Sequence, residues 1–130
     1  MRILETVLYA EDLLAAREFY VDRLGLESIS FDPERNLFLR CADGVLILFK
    51  ASKTVIPDAA VPPHGTVGIG HMAFGVSREE LEAWRGKLAA KEIPILQGMT
   101  WGNGANSIYF CDPAGNVLEF ATVDLWGFTS

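Results

Sequence analysis

The chain has 130 residues, half of them apolar, and a net charge of −6: enough for one domain that buries roughly two-thirds of its unfolded surface. The acidic balance argues against nucleic acid and anionic membranes as partners. No apolar run nears the roughly 18 residues of a spanning helix, and no signal-peptide pattern opens the chain, so a cytoplasmic protein is expected.

Ile3 to Ala10 is apolar and β-rich, and predicts a first strand. Asp12 can cap a helix in which Leu13, Ala16, Phe19 or Tyr20, and Leu24 recur at helical spacing, with Gly25 ending it. Three short strands follow, Leu26 to Phe31, Asn36 to Cys41 and Val45 to Lys50. Asp32-Pro33-Glu34 and Ala42-Asp43-Gly44 punctuate them as turns. Residues 51–66 lack periodicity and read as a linker. The pattern then restarts: a strand over Val67 to Val76, and a helix opened by a Ser77/Glu80 capping box with Leu81, Trp84 and Leu88 as its buried stripe. Strands over Pro94 to Thr100, Asn106 to Cys111 and Asn116 to Val123 complete the second pass.

The order βαβββ therefore occurs twice, as an internal duplication. The expected organisation is a single domain over 1–130: module one at 1–50, linker 51–66, module two at 67–125 and a tail at 126–130. Overlaying the halves on their shared cysteine places Glu5 on His71, Leu39-Arg40-Cys41 on Tyr109-Phe110-Cys111, and Ile47 on Glu119. The two cysteines, Cys41 and Cys111, are expected as reduced thiols.

Strand parity sorts the residues by face. Leu8, Leu46, Leu48, Met72, Phe74, Ile108, Phe110, Leu118 and Phe120 are suited to packing under helices, and Arg40 falls among them. The other face collects Glu5, Val7, Leu39, Ile47, His71, Ser107, Tyr109, Val117 and Glu119, every candidate ligand among them. Taken singly, Glu5 reads as a solvated strand residue, and His71 as a histidine bonded to Glu119. Together, two carboxylates and an imidazole suit a divalent cation such as Mn, Fe, Co, Ni or Zn, which would offset the cost of burying the charges.

These motifs resemble the vicinal oxygen chelate superfamily of glyoxalase I, extradiol dioxygenases, and fosfomycin- and bleomycin-resistance proteins. The matching runs are Tyr9-Ala10-Glu11-Asp12-Leu13, Glu18-Phe19-Tyr20, Leu24-Gly25-Leu26, Gly70-His71-Met72-Ala73-Phe74 and Tyr109-Phe110-Cys111-Asp112-Pro113-Ala114-Gly115-Asn116-Val117-Leu118-Glu119. The resemblance implies an α+β fold of two βαβββ modules in tandem forming concave mixed sheets, assembled as a homodimer. It maps metal ligands onto His71 and Glu119. Glu5 stands where many members have histidine, and Ile47 where glyoxalase I-like members carry a fourth ligand. Ser107 and Tyr109 match substrate contacts of fosfomycin-resistance proteins, but Val7, Met99 and Phe128 replace the threonine, lysine and arginine expected there. With no other cation on this face, a phosphonate is not the expected substrate.

The expected function is thus a metal-dependent enzyme, a glyoxalase-like lyase or isomerase or a ring-cleaving dioxygenase, acting on a small, fairly apolar oxygenated substrate. Glu5, His71 and Glu119 would hold the metal, with Tyr109 and Glu119 as catalytic residues. Val7, Leu39, Ile47, Trp101, Ser107 and Tyr109 would line the substrate site. The alternative is a metal-free, drug-sequestering binding protein of the bleomycin-resistance type. His64 reads as a loop histidine, and Trp126 and Phe128 as core or interface packing residues.

Overall fold

Two strand–helix–three-strand units follow one another along the chain, each with its own apolar core. The computed structural model describes residues 1–57 and 60–129, and the chain separates into compact units Met1–Gly70 and His71–Ser130. The expected 51–66 linker thus includes two positions, and the tail one, outside the described residues.

In the first unit, β1 (Glu5–Tyr9) leads to α1 (Leu13–Arg17), then β2 (Glu27–Asp32), β3 (Asn36–Cys41) and β4 (Gly44–Phe49). The Asp12 carboxylate accepts from the Ala15 amide at 3.0 Å and caps α1. Past Arg17 the helix widens over Glu18–Arg23, where the Leu24 amide reaches back to the Phe19 carbonyl. Phe19 and Tyr20 are consequently both buried, edge to face at 5.1 Å between ring centres, where regular spacing would bury one. Gly25, at φ +82°, ends the helix in a conformation that a β-carbon would disfavour. The sheet order is β1-β4-β3-β2, with β1 parallel to β4 and the other pairs antiparallel. A short helix, α2 (Ala51–Thr54), occupies the start of the segment read as a linker.

The second unit repeats this plan with β5 (His71–Val76), α3 (Arg78–Ala90), β6 (Gln97–Thr100), β7 (Asn106–Cys111) and β8 (Val117–Thr122). Its sheet runs β5-β8-β7-β6, again with the first pair parallel. The capping box is present: Ser77 Oγ accepts from the Glu80 amide at 3.1 Å, and Glu80 Oε2 from the Ser77 amide at 2.7 Å. Leu81 and Leu88 are buried, and Trp84 stacks on Phe120 at 4.5 Å. Phe110 and Phe74 complete that aromatic layer at 5.2 and 5.4 Å from Phe120.

The register corrects one part of the parity reading. In the first unit Ile47 pairs with Phe38, and Leu46 with Leu39; in the second, Glu119 pairs with Tyr109. Phe38, not Leu39, is therefore the counterpart of Tyr109, and Arg40 that of Cys111. Leu37 and Leu39, both fully buried, lie with Leu46 and Leu48 in the layer that α1 covers. Leu39 therefore does not share a face with Ile47, and Arg40 is not on the helix-packing side. The cause is turn length. Cys41 sits opposite Gly44 across a tight turn, whereas Cys111 sits opposite Val117 across a longer one. Asp112 organises the longer turn: its Oδ1 accepts from the Ala114 and Asn116 amides, and its Oδ2 from Asn116 Nδ2, all at 2.9 Å. Aligning the halves on their cysteines shifts β3 by one residue, which reverses every side chain on it.

Candidate active site

The aromatic layer under α3 sets the chemistry of the second sheet. With Phe74, Phe110 and Phe120 turned toward Trp84, alternation sends His71, Ala73, Ser107, Tyr109, Cys111, Val117 and Glu119 to the opposite face. Glu119 sits at its centre, on β8 between β5 and β7, and is only 5% exposed. Its Oε2 accepts the Ser107 hydroxyl proton at 2.6 Å, and Ser107 Oγ accepts from Trp101 Nε1 at 3.0 Å. Its Oε1 lies 3.3 Å from His71 Nε2.

His71 is oriented from its other nitrogen: Nδ1 donates to the Val117 carbonyl at 2.9 Å. That assigns the proton of a neutral imidazole to Nδ1 and leaves the Nε2 lone pair facing a carboxylate oxygen. Two acceptors at this separation need a proton or a cation between them. An imidazole fixed by a backbone carbonyl, beside a carboxylate fixed by a hydroxyl, is a donor set suited to a divalent cation. The His71 side chain is about half exposed, so the pair is open to ligands. Tyr109 stacks beside His71 with ring centres 6.2 Å apart. Burial, followed by the Glu119 charge and a hydrogen bond with that carboxylate, pushes its phenol above the usual tyrosine value.

The indole is seated by a well-bonded hairpin. The Trp101 amide donates to the Ala105 carbonyl at 2.8 Å and the Gly104 amide to the Trp101 carbonyl at 2.9 Å. Asn103 Nδ2 donates to the carbonyls of Asp124 and Leu125, both at 3.2 Å, tying the hairpin to the helical turn Val123–Trp126.

The corresponding face of the first unit is different in kind. Register places Glu5, Val7, Tyr9, Phe38, Arg40, Ile47 and Phe49 together there. Glu5 is exposed, whereas Ile47, the counterpart of Glu119, is buried. His64 is more than a loop histidine: its Nδ1 and the Tyr9 hydroxyl share a hydrogen bond at 2.7 Å, and its ring meets Phe49 edge-on at 4.9 Å. Nothing in the sequence links residues so far apart. Arg40, 3.3 Å from Glu27, supplies a cation that the sequence reading placed on the other side.

The structure thus brings His71, Glu119, Tyr109, Ser107 and Trp101 together, and places Glu5, Val7 and Ile47 on the matching face of the first unit. Among the described residues no group of three or more His, Cys, Asp or Glu side chains could hold a metal ion. Trp126 and Phe128 are 79% and 64% exposed, which excludes core packing for both. No helix among the described residues is long and apolar enough to cross a membrane. A surface groove of about 350 Å³ lined by Ala89, Glu92, Ile93, Pro94 and Ile95 shares no residue with the His71–Glu119 pair.

Residues 2–120 match the Glyoxalase/Bleomycin resistance protein/Dioxygenase superfamily. The crystal structure of a lactoylglutathione lyase from Agrobacterium tumefaciens superposes with a TM-score of 0.94 at 41% identity, over 98% of this chain and 97% of that one. A virulence protein from Salmonella typhimurium superposes at 0.71 with 25% identity, over 94% and 96% of the two chains. A glyoxalase/bleomycin resistance protein/dioxygenase from Nocardioides, 24% identical, shares the fold at 0.75, over 94% and 83%. The chain belongs to the Glyoxalase/Bleomycin resistance protein/Dioxygenase superfamily, and its tandem mixed sheets are that family's fold.

Proposed function

We propose that the chain is a glyoxalase-like, divalent-metal-dependent enzyme acting on a small, fairly apolar oxygenated substrate. One observation carries the reading: His71 Nε2, its lone pair freed by the Nδ1 bond to Val117, faces Glu119 Oε1 at 3.3 Å. A cation held there would act as a Lewis acid on adjacent substrate oxygens. His71 and Glu119 supply its protein ligands from the second unit. Tyr109, stacked beside His71, would position a substrate oxygen next to the pair. Val7, Ile47 and Val117 supply apolar wall.

Glu5 is the proposed third ligand, contributed by a second copy of the chain in a homodimer. Exposed Ile3 and Leu4 before β1, and Val67 and Ile69 before β5, flank the two edge strands and support such an interface. The likeness to a lactoylglutathione lyase favours lyase chemistry over oxygenation; Ile47, standing where the resemblance to glyoxalase I-like members implies a fourth ligand, weighs against glyoxalase I chemistry of that kind.

Purification without chelators, followed by metal analysis, thermal shifts with Mn²⁺, Fe²⁺, Co²⁺, Ni²⁺ and Zn²⁺, and an assay for lactoylglutathione turnover, tests this reading. Stoichiometric metal and a stabilising shift are expected; no metal and no shift would sink it. The aromatic face of Tyr9, Phe38 and Phe49 favours a second reading, a metal-free protein that sequesters an aromatic drug. That reading predicts saturable binding of such a ligand, unchanged by chelator.

A further inference from the structure

We propose that Trp101 and Ser107 are positioning residues, a one-directional hydrogen-bond chain that turns a single oxygen of Glu119 toward His71. The inference rests on the metal reading above and reassigns two residues that the sequence marks as substrate contacts. Ser107 is fully buried in β7, and its oxygen lies 3.0 Å from the indole nitrogen and 2.6 Å from Glu119 Oε2.

The direction of the chain follows from what each group can do. An indole N–H only donates, so Ser107 Oγ must accept from Trp101. A serine hydroxyl has one hydrogen, and the ionised carboxylate is an acceptor only, so that hydrogen goes to Glu119 Oε2. The Ser107 hydroxyl then has no proton left for a substrate. A terminal carboxylate torsion is broad and roughly two-fold, and nothing intrinsic distinguishes the two oxygens. The chain breaks that symmetry: Oε2 is occupied, and Oε1 remains 3.3 Å from His71 Nε2. Glu119 would therefore meet a cation through one oxygen with its orientation already set, so less ordering accompanies binding. The hairpin bonds of Trp101 and Asn103 hold the start of the chain in place.

The test has a metal-free and a metal-bound arm. In ¹H–¹⁵N spectra of the apoprotein, Ser107→Ala and Glu119→Gln should each move the Trp101 indole resonance while those of Trp84 and Trp126 stay in place. In Ni²⁺ titrations followed by calorimetry, Ser107→Ala should weaken binding about 10- to 100-fold, as loss of a group supporting a metal ligand does. Trp101→Phe should weaken it less, and Ser107→Thr, which keeps the hydroxyl, should restore it. Thermal melts confirm that each variant is folded. A Trp101 resonance indifferent to Glu119→Gln would overturn the chain. So would unchanged Ni²⁺ affinity in both Ser107→Ala and Trp101→Phe. If wild type binds no metal but the resonance moves, the metal reading fails and the chain stands.

Discussion

The two units share a strand order and a register, yet equivalent positions on their sheets carry opposite chemistry. In the second unit the position facing Ala73 and Tyr109 is Glu119, served by Ser107 and answered by His71. In the first, the position facing Val7 and Phe38 is Ile47, and aromatic rings with a Tyr9–His64 hydrogen bond occupy the neighbourhood. The repeated scaffold thus carries a polar constellation in one unit and an apolar and aromatic centre in the other. A buried carboxylate is sustainable only with partners, and in the second sheet Ser107 and His71 are those partners.

Moving the carboxylate should break this division most severely. Ile47→Glu places a charge at a 4% exposed position whose neighbours Val7 and Phe38 offer no hydrogen bond. A loss of about 3–5 kcal/mol is expected in urea unfolding, and a variant that keeps wild-type stability would show that the first sheet also accommodates a buried carboxylate. Phe120→Ala, which removes the ring shared by Trp84, Phe110 and Phe74, should cost about as much, near 3–5 kcal/mol by the same measurement. Tyr9→Phe deletes the 2.7 Å bond to His64 and should cost about 1 kcal/mol while leaving metal affinity alone. Altered metal binding in Tyr9→Phe would join the two faces functionally.

The smallest effect concerns the support of the Trp101 hairpin. The Thr122 hydroxyl, then Arg78, holds the Asp124 carboxyl below its ordinary value. A group depressed in the folded state adds stability above its unfolded value, and loses it as pH falls through the folded one. Arg78→Gln should therefore flatten the acid limb of a pH–melting curve. An unchanged limb would remove that ion pair from the account.

How legible the molecule is in its sequence follows the same line between the halves. The strands bearing His71, Ser107, Tyr109 and Glu119 are readable because large apolar residues alternate with them, although the first begins at His71 and not at Val67, and the Ser77/Glu80 box marks α3 by local chemistry alone. In β3 the run Leu37-Phe38-Leu39 is apolar on both faces, so periodicity cannot choose a parity. The shared cysteines lie beside turns of unequal length, so an overlay on them puts Leu39 and Arg40 on the wrong sides. Paired Phe19 and Tyr20 hide a widened helical turn that regular spacing cannot represent. Trp101 shares parity with Met99 and hence with Ser107, the strand partner of Met99, but that its indole bonds Ser107 needs coordinates. So does the contact of Tyr9 with His64.

His71 and Glu119 are the ligands on which the proposed metal site depends. Calorimetric Ni²⁺ titration of wild type beside His71→Ala and Ile47→Ala tests that dependence most directly. Wild type and Ile47→Ala should bind one ion per chain with similar affinity, while folded His71→Ala shows at least about a 100-fold loss. Equal binding by wild type and His71→Ala would contradict the account.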